Sequence, residues 1–200
     1  VTARDGKMKI LIDWIRDCRD EDILENDQVY FLTVDLFYRY LTMFPLIITK
    51  EYQLIAASLM HIASSFVPEV IYSLELSTLS HITANSYTED QIRSKALEII
   101  SDLNYDLLAT TSYDLIKSYR HIYSGDIIRS AIDLLYTISP IRSLYILSDI
   151  ADKCLLAAKI NHGWTVDPVL ISENNKFLDL IRSYKDNIKL RKSIGRILKQ

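Results

Sequence analysis

The side chains that could take part in chemistry are few and far apart in this sequence. Its four histidines, His61, His81, His121 and His162, share no metal-ligand spacing. Cys18 and Cys154 stand alone, without a CxxC motif or a nearby histidine. A zinc site or an activated nucleophile needs several groups converging on one atom, so neither is favoured. The cysteines are expected to be buried thiols of a protein in a reducing compartment.

Glycine spacing excludes two further kinds of site. The four glycines are Gly6, Gly125, Gly163 and Gly195. A P-loop or a dinucleotide fingerprint needs close glycines that let backbone amides approach phosphate, and neither can be built here. No GxSxG or HExxH motif occurs, and no carboxylate pair has a setting that would separate two pKa values. We expect a protein without catalytic residues and without a cofactor.

The charge distribution favours a protein partner over a nucleic acid. The formal net charge is −3 and the sequence pI is about 5.8, whereas nucleic-acid-binding domains usually carry a basic face. An acidic cluster could recognise basic peptides or be a solvated loop; its members are Asp17, Asp20, Glu21, Asp22 and Glu25. A basic C-terminal segment could contact nucleic acid or be a solvated tail; its members are Lys185, Lys189, Arg191, Lys192, Arg196 and Lys199.

No stretch of the sequence is long and apolar enough to be a membrane span. The longest candidate, residues 31–48, is interrupted by Asp35, Arg39 and Pro45, and no basic-then-apolar signal segment opens the chain. We therefore expect no membrane partner and an intracellular location, in the nucleus, the cytoplasm or both.

The elements that must position any site are helices. An apolar stripe with helical spacing follows Thr88, which with Gln91 forms the pattern of a capping box; its members are Ile92, Ala96, Ile99, Ile100 and Leu103. Residues 54–66 are apolar on almost every side, which is typical of a buried central helix. In the second half, Gly163 is expected to end a helix, and Asp167 with Pro168 to begin the next.

Five segments, in this order along the chain, resemble the first repeat of the cyclin family. They are KMKILIDW at 7–14, YFLTVDLFYRYLT at 30–42, EYQLIAASLMHIASSF at 51–66, ITANSYTEDQI at 82–92 and LNYDL at 103–107. The resemblance is to the A- and B-type cyclins. It implies an all-α fold of two tandem five-helix repeats, a cyclin box at 1–109 and a cyclin-like repeat at 110–200. The abundance of isoleucine, tyrosine and asparagine suggests a large DNA virus or a protist as the source.

The resemblance also implies a surface that faces a kinase. Cyclins press on a cyclin-dependent kinase so that it adopts its active form. The apolar positions of that surface are kept here as Leu54, Ile62, Phe66, Tyr105 and Leu107. The lysine and glutamate of the family's charged contact are replaced by Ser65 and Ala96. Their joint loss suggests an interface that changed as a unit, either for a different kinase or because kinase binding was given up.

A substrate-docking groove is the second feature that the resemblance implies. The positions that receive a basic-x-leucine motif in cyclins are Ile10, Leu11, Trp14, Asp17 and Gln53. The apolar side chains would take the leucine, and the acid would take the basic residue. Lys7 stands where the family has methionine. Trp14 and Leu11 could instead be core residues.

Four functions are open on this basis. The first is a cyclin-like regulatory subunit, not an enzyme, that binds and activates a cyclin-dependent-type kinase and helps recruit its substrates. The second is a cyclin-fold peptide-binding or scaffold protein that has lost standard kinase activation. The third is a nucleic-acid-binding cyclin fold of the TFIIB class, which the acidic balance disfavours. The fourth is an enzyme of unrecognised type, which the lack of any motif disfavours.

Overall fold

The structure, a computed structural model, describes residues 3–20, 24, 26–67, 73–108, 110–140, 147–179 and 182–183. Their regular secondary structure is helical throughout, so the prediction of an all-α fold is confirmed for this part of the chain. The chain divides into two compact units, Val1–Asp114 and Leu115–Gln200. The basic segment from Lys185 onward and most of the acidic cluster lie outside the described residues.

In the first unit, five of the helices formed by the described residues fall wholly within it. They are α1 (Ala3–Asp20), α2 (Asp27–Met43), α3 (Tyr52–Phe66), α4 (Leu76–Ile82) and α5 (Glu89–Asp102). A 3₁₀ helix of one turn, Thr49–Glu51, leads into α3. α6 (Ser112–Ser118) spans the point where the chain passes from one unit to the other. In the second unit, the described residues form α7 (Gly125–Ile138), α8 (Leu147–Asn161) and α9 (168–179).

α3 is the centre of the first unit, as its apolar sequence predicts. It packs against both α2 and α5, and Leu59 and Met60 are fully buried. Ser58 is buried as well, and its Oγ donates a hydrogen bond of 3.0 Å to the carbonyl of Ile92 on α5. A buried hydroxyl without such a partner would cost about 1–3 kcal/mol, so this bond fixes the pairing of the two helices.

The helix ends follow the local signals in the sequence. The capping box is present, because Thr88 N donates to Gln91 Oε1 at 2.8 Å and Gln91 N donates to Thr88 Oγ1 at 3.3 Å. Gly163 follows α8 with a φ of 79°, a conformation that favours glycine. Asp167 Oδ1 accepts from Val169 N at 2.8 Å at the start of α9. These predicted helix boundaries are confirmed.

Both cysteine side chains are buried, and burial raises the pKa of the Cys154 thiol. Among the residues that the structure describes, no three or more His, Cys, Asp or Glu side chains form a group that could hold a metal ion. Within the same ranges, the helices are all too short or too polar to cross a membrane.

Candidate functional site

The first candidate surface is a groove between α1 and the chain that enters α3. Its volume is about 450 Å³. The lining residues are Lys7, Ile10, Leu11, Trp14, Thr49, Lys50, Tyr52 and Gln53. Four of the five residues predicted for the substrate-docking groove are therefore brought together here, and Asp17 is outside this lining set.

The floor of the groove is apolar because α1 has two apolar faces. Ile12 and Ile15 are fully buried in the core of the first unit. Leu11 is buried but lines the groove, Trp14 is half-buried, and Ile10 is 60% exposed. A helix whose apolar positions exceed the face needed for its own core presents the excess to a partner.

The two ends of the groove differ in charge. Lys7 is exposed, and its Nζ donates a hydrogen bond of 2.9 Å to Thr49 Oγ1 on the opposite wall. Lys50, next to Thr49, is also exposed. Asp17 is exposed on α1 one turn beyond Trp14. The groove thus has two ammonium groups near its start and a carboxylate just past its other end.

Contacts from distant parts of the chain hold the 3₁₀ turn that forms one wall. Lys95 Nζ on α5 lies 3.6 Å from Glu51 Oε2 and 2.8 Å from Glu98 Oε1. Tyr87 Oη donates to the carbonyl of Lys50 at 3.2 Å. Because these partners are far apart in sequence, the position of the wall depends on the packing of α5 beside it.

Lys95→Met is expected to loosen this wall without unfolding the unit. Loss of a part-buried ion pair costs about 1 kcal/mol or less, so amide exchange at Glu51, whose N donates to Ile48 O, should become up to about fivefold faster. Hydrogen exchange measured by NMR checks this. Arg93→Met is the matched control, since Arg93 pairs only with Asp90 on its own helix among the described residues; equal rates in both variants would contradict the prediction.

The second candidate surface surrounds the end of α3. Phe66 is 43% exposed and Leu108 is 70% exposed, and both line a depression of about 240 Å³. Its other lining residues are Gln28, Leu32, Val67, Thr111 and Asp114. Sequence reasoning identified Phe66 but missed Leu108. Leu107 and Leu108 follow one another in a segment without regular secondary structure, and only the structure shows that Leu107 is the buried one and Leu108 the exposed one.

Tyr105 presents its ring to solvent from a strained turn. It is 78% exposed and has a φ of 62°, and the preceding Asn104 has a φ of 51°. A non-glycine residue in this left-handed region costs about 1–2 kcal/mol, which the surrounding structure must offset. Tyr105 N donates to Ile100 O at 3.0 Å, and Arg39 on α2 binds the Asp106 carboxylate at 2.6 Å and its carbonyl at 2.8 Å.

The turn has a further anchor in the pair formed by the buried Tyr40 and the half-buried Asp102. Tyr40 Oη donates a 2.7 Å hydrogen bond to Asp102 Oδ2 at the end of α5. Burial, together with the hydrogen bond and charge of Asp102, raises the pKa of Tyr40 above its ordinary value. The neutral phenol is a hydrogen-bond donor at physiological pH, and its bond to Asp102 joins the end of α5 to α2.

The remaining positions predicted to face a kinase differ in exposure. Ile62, Ala96 and Leu107 are buried, and Leu54 is partly buried. Ala96 lies in the core because it belongs to the α5 stripe that packs on α3. Ser65 is exposed, and its Oγ donates to the carbonyl of His61 at 2.9 Å, within its own helix. The exposed side chains among these predicted positions are therefore those of Ser65, Phe66 and Tyr105.

Known proteins resemble this chain in sequence and in fold. A family model described as "Cyclin, N-terminal domain" matches residues 3–108. Cyclin-A2 of Xenopus laevis is 31% identical over 119 residues, which are 59% of this chain and 28% of that protein. The G2/mitotic-specific cyclin-A of Drosophila melanogaster is 32% identical over 110 residues, 55% of this chain and 22% of that protein.

A solved structure extends the likeness to the second unit. The X-ray structure of a viral cyclin from herpesvirus saimiri superposes with a TM-score of 0.68 and covers 94% of this chain and 86% of its own. The two sequences are 17% identical, so this likeness is one of fold.

Proposed function

This chain belongs to the cyclin family, and from that premise we propose that it is a regulatory subunit that binds a cyclin-dependent-type protein kinase and shifts it toward its active form. A subunit can shift such an equilibrium only by binding one form more tightly than the other. Moving a kinase from 1:99 to 99:1 active requires about 5.5 kcal/mol of preference. The kinase-facing surface must therefore contain strong contacts.

The observation that carries this proposal is the apolar surface at the end of α3 and after α5. Phe66 and Leu108 flank the depression there, and Tyr105 lies three residues before Leu108. Exposed aromatic rings beside a concave apolar surface are the features that dominate interface energies. Several exposed apolar side chains grouped in one patch are typical of a surface that a protein partner covers.

Ser65 and Ala96 replace the lysine and glutamate that contact the kinase in the family, and this change indicates what kind of kinase surface could bind here. Ser65 uses its hydroxyl hydrogen within α3, and Ala96 is buried, so neither supplies a charge to a partner. A kinase that buried a charged side chain opposite them would lose about 2–5 kcal/mol. The proposed partner therefore presents apolar or neutral groups at this position.

Substrate recruitment through the α1 groove is the second part of the proposal. Ile10, Leu11 and Trp14 form an apolar trough that fits a leucine, and Asp17 carries a carboxylate beyond it for a basic residue. Proteins that carry a basic-x-leucine motif are the proposed substrates.

A panel of purified cyclin-dependent kinases tests this function. We expect at least one kinase to bind and to phosphorylate a basic-x-leucine substrate faster when the protein is present. Phe66→Ala should weaken binding about tenfold or more, because it removes an exposed aromatic anchor. Ile122→Ala is the matched control, since Ile122 is an exposed apolar residue in the second unit. Equal binding by the two variants would exclude the α3 surface.

The alternative is a cyclin-fold protein that binds peptides without activating a kinase. The observation that favours it is the change at Ser65 and Ala96. Binding of a basic-x-leucine peptide, with no stimulation of any kinase in the panel, would support this alternative over the first function.

A further inference from the structure

The charges at the two ends of the α1 groove place a requirement on a bound peptide in addition to the basic-x-leucine motif. The end at Lys7 and Lys50 carries two ammonium groups. Among the described residues, neither has a carboxylate within ion-pair distance, and the partner of Lys7 is the neutral hydroxyl of Thr49. The carboxylate next to Lys50 along the chain, that of Glu51, lies beside Lys95 on α5. Among the described side chains, this end of the groove therefore keeps its positive charge.

The opposite end has the opposite sign. Asp17 is exposed, and no basic group pairs with it among the described residues. Its neighbours Asp13 and Arg16 pair with each other at 2.8 Å, so they add little net charge. The groove is thus negative beyond Trp14 and positive at Lys7, with the apolar trough between.

The distance between the two ends of the groove determines how many residues of a bound peptide separate the two charged side chains that face those ends. Lys7 and Asp17 are ten residues apart on α1, which corresponds to about 15 Å along the helix axis. An extended peptide advances about 3.3 Å per residue, so about four or five positions separate the residues that face the two ends. In a basic-x-leucine peptide the basic residue comes first, so the chain runs from Asp17 toward Lys7.

We infer that the groove selects peptides of mixed charge, in which an acidic residue follows the basic residue of a basic-x-leucine motif by four or five positions and binds Lys7 and Lys50. The inference rests on the proposed groove function and adds a specificity to it. A carboxylate at this end would accept charge-assisted hydrogen bonds from both ammonium groups, in place of the single bond that Lys7 gives to Thr49.

Fluorescence anisotropy with four labelled peptides and the whole chain tests the inference. All four contain arginine with leucine two positions later; two have glutamate four or five positions after the arginine, and two have glutamine there. At low ionic strength each glutamate peptide is compared with its glutamine counterpart. We expect the better-placed glutamate to give about three- to tenfold tighter binding, since each exposed ion pair gives a few-fold at most.

Variants of the protein test whether Lys7 and Lys50 cause the preference for glutamate peptides. Lys7→Met should reduce the preference for glutamate, and Lys7→Met with Lys50→Gln should abolish it while glutamine peptides still bind. Lys153→Gln, a lysine on α8 in the second unit, should leave it unchanged. Ile10→Ala should weaken all four peptides, and the exposure of Ile10 means that this variant should fold normally.

The outcomes separate this inference from the groove function on which it rests. Equal binding of glutamate and glutamine peptides, with weaker binding of both to Ile10→Ala, would overturn the inference and leave substrate docking intact. A preference for glutamate that persists in the variant with both Lys7→Met and Lys50→Gln would also overturn the inference. No binding of any peptide would overturn docking and the inference together, whereas stimulation of a kinase by the α3 surface would be unaffected.

Discussion

Tyr105→Asn is expected to weaken kinase binding about 30-fold or more while leaving the free energy of unfolding unchanged or slightly higher. The ring is 78% exposed, so its removal deletes partner contacts without opening a cavity in the first unit. Buried aromatic anchors at interfaces commonly contribute 2 kcal/mol or more. Asparagine tolerates the left-handed backbone at this position better than tyrosine does, so the turn should persist.

Two measurements check this expectation. Calorimetric titration with the kinase identified in the panel gives the loss of affinity, and urea unfolding gives the stability. Tyr105→Phe, which keeps the ring, should bind nearly as well as the unchanged protein. Leu97→Ala, at an exposed apolar residue of α5 outside the predicted surface, controls for general loss of surface area. An unchanged dissociation constant for Tyr105→Asn would show that Tyr105 does not contribute to the interface.

Phe37→Ala is expected to lower the free energy of unfolding by about 3–5 kcal/mol. Phe37 is fully buried on α2, and its ring meets the ring of Tyr52 edge to face with centroids 5.7 Å apart. The loss includes the transfer of the ring, the cavity left behind and the aromatic pair. Because domains are stable by only about 5–15 kcal/mol, this variant should be close to its unfolding threshold.

The same substitution should also affect the groove. Tyr52 is the first residue of α3 and lines the groove, so removing the ring that supports it should weaken peptide binding. Urea unfolding and the peptide titration measure the two effects. Phe37→Leu should lose much less stability, since most of the volume is kept. Leu46→Ala, at an exposed residue after α2, should change stability by less than about 0.5 kcal/mol; a similar loss in Leu46→Ala and Phe37→Ala would contradict the prediction.

The candidate sites were only partly accessible to sequence reasoning. The groove residues Ile10, Leu11 and Trp14 could be identified through the resemblance to cyclins, and they do line one groove. Their partners across it, Thr49 and Lys50, could not be identified, because they come from a turn more than thirty residues later. Leu108 was missed at the second surface for a related reason, since the choice between Leu107 and Leu108 depends on how this irregular segment packs against the helices.

The sequence by itself determined the helices, their caps, the buried central helix and the likeness to cyclins. The helices, caps and central helix depend on side chains within about four residues of one another, so spacing and residue type suffice to predict them. The likeness to cyclins depends on the order of five segments between residues 7 and 107. The tertiary structure alone decided which apolar residues near helix ends face outward and which charges meet. The Arg39 and Asp106 pair joins residues 67 positions apart, and the Lys7 and Thr49 bond joins residues 42 positions apart. Such contacts depend on how several helices pack, and no local pattern encodes that arrangement.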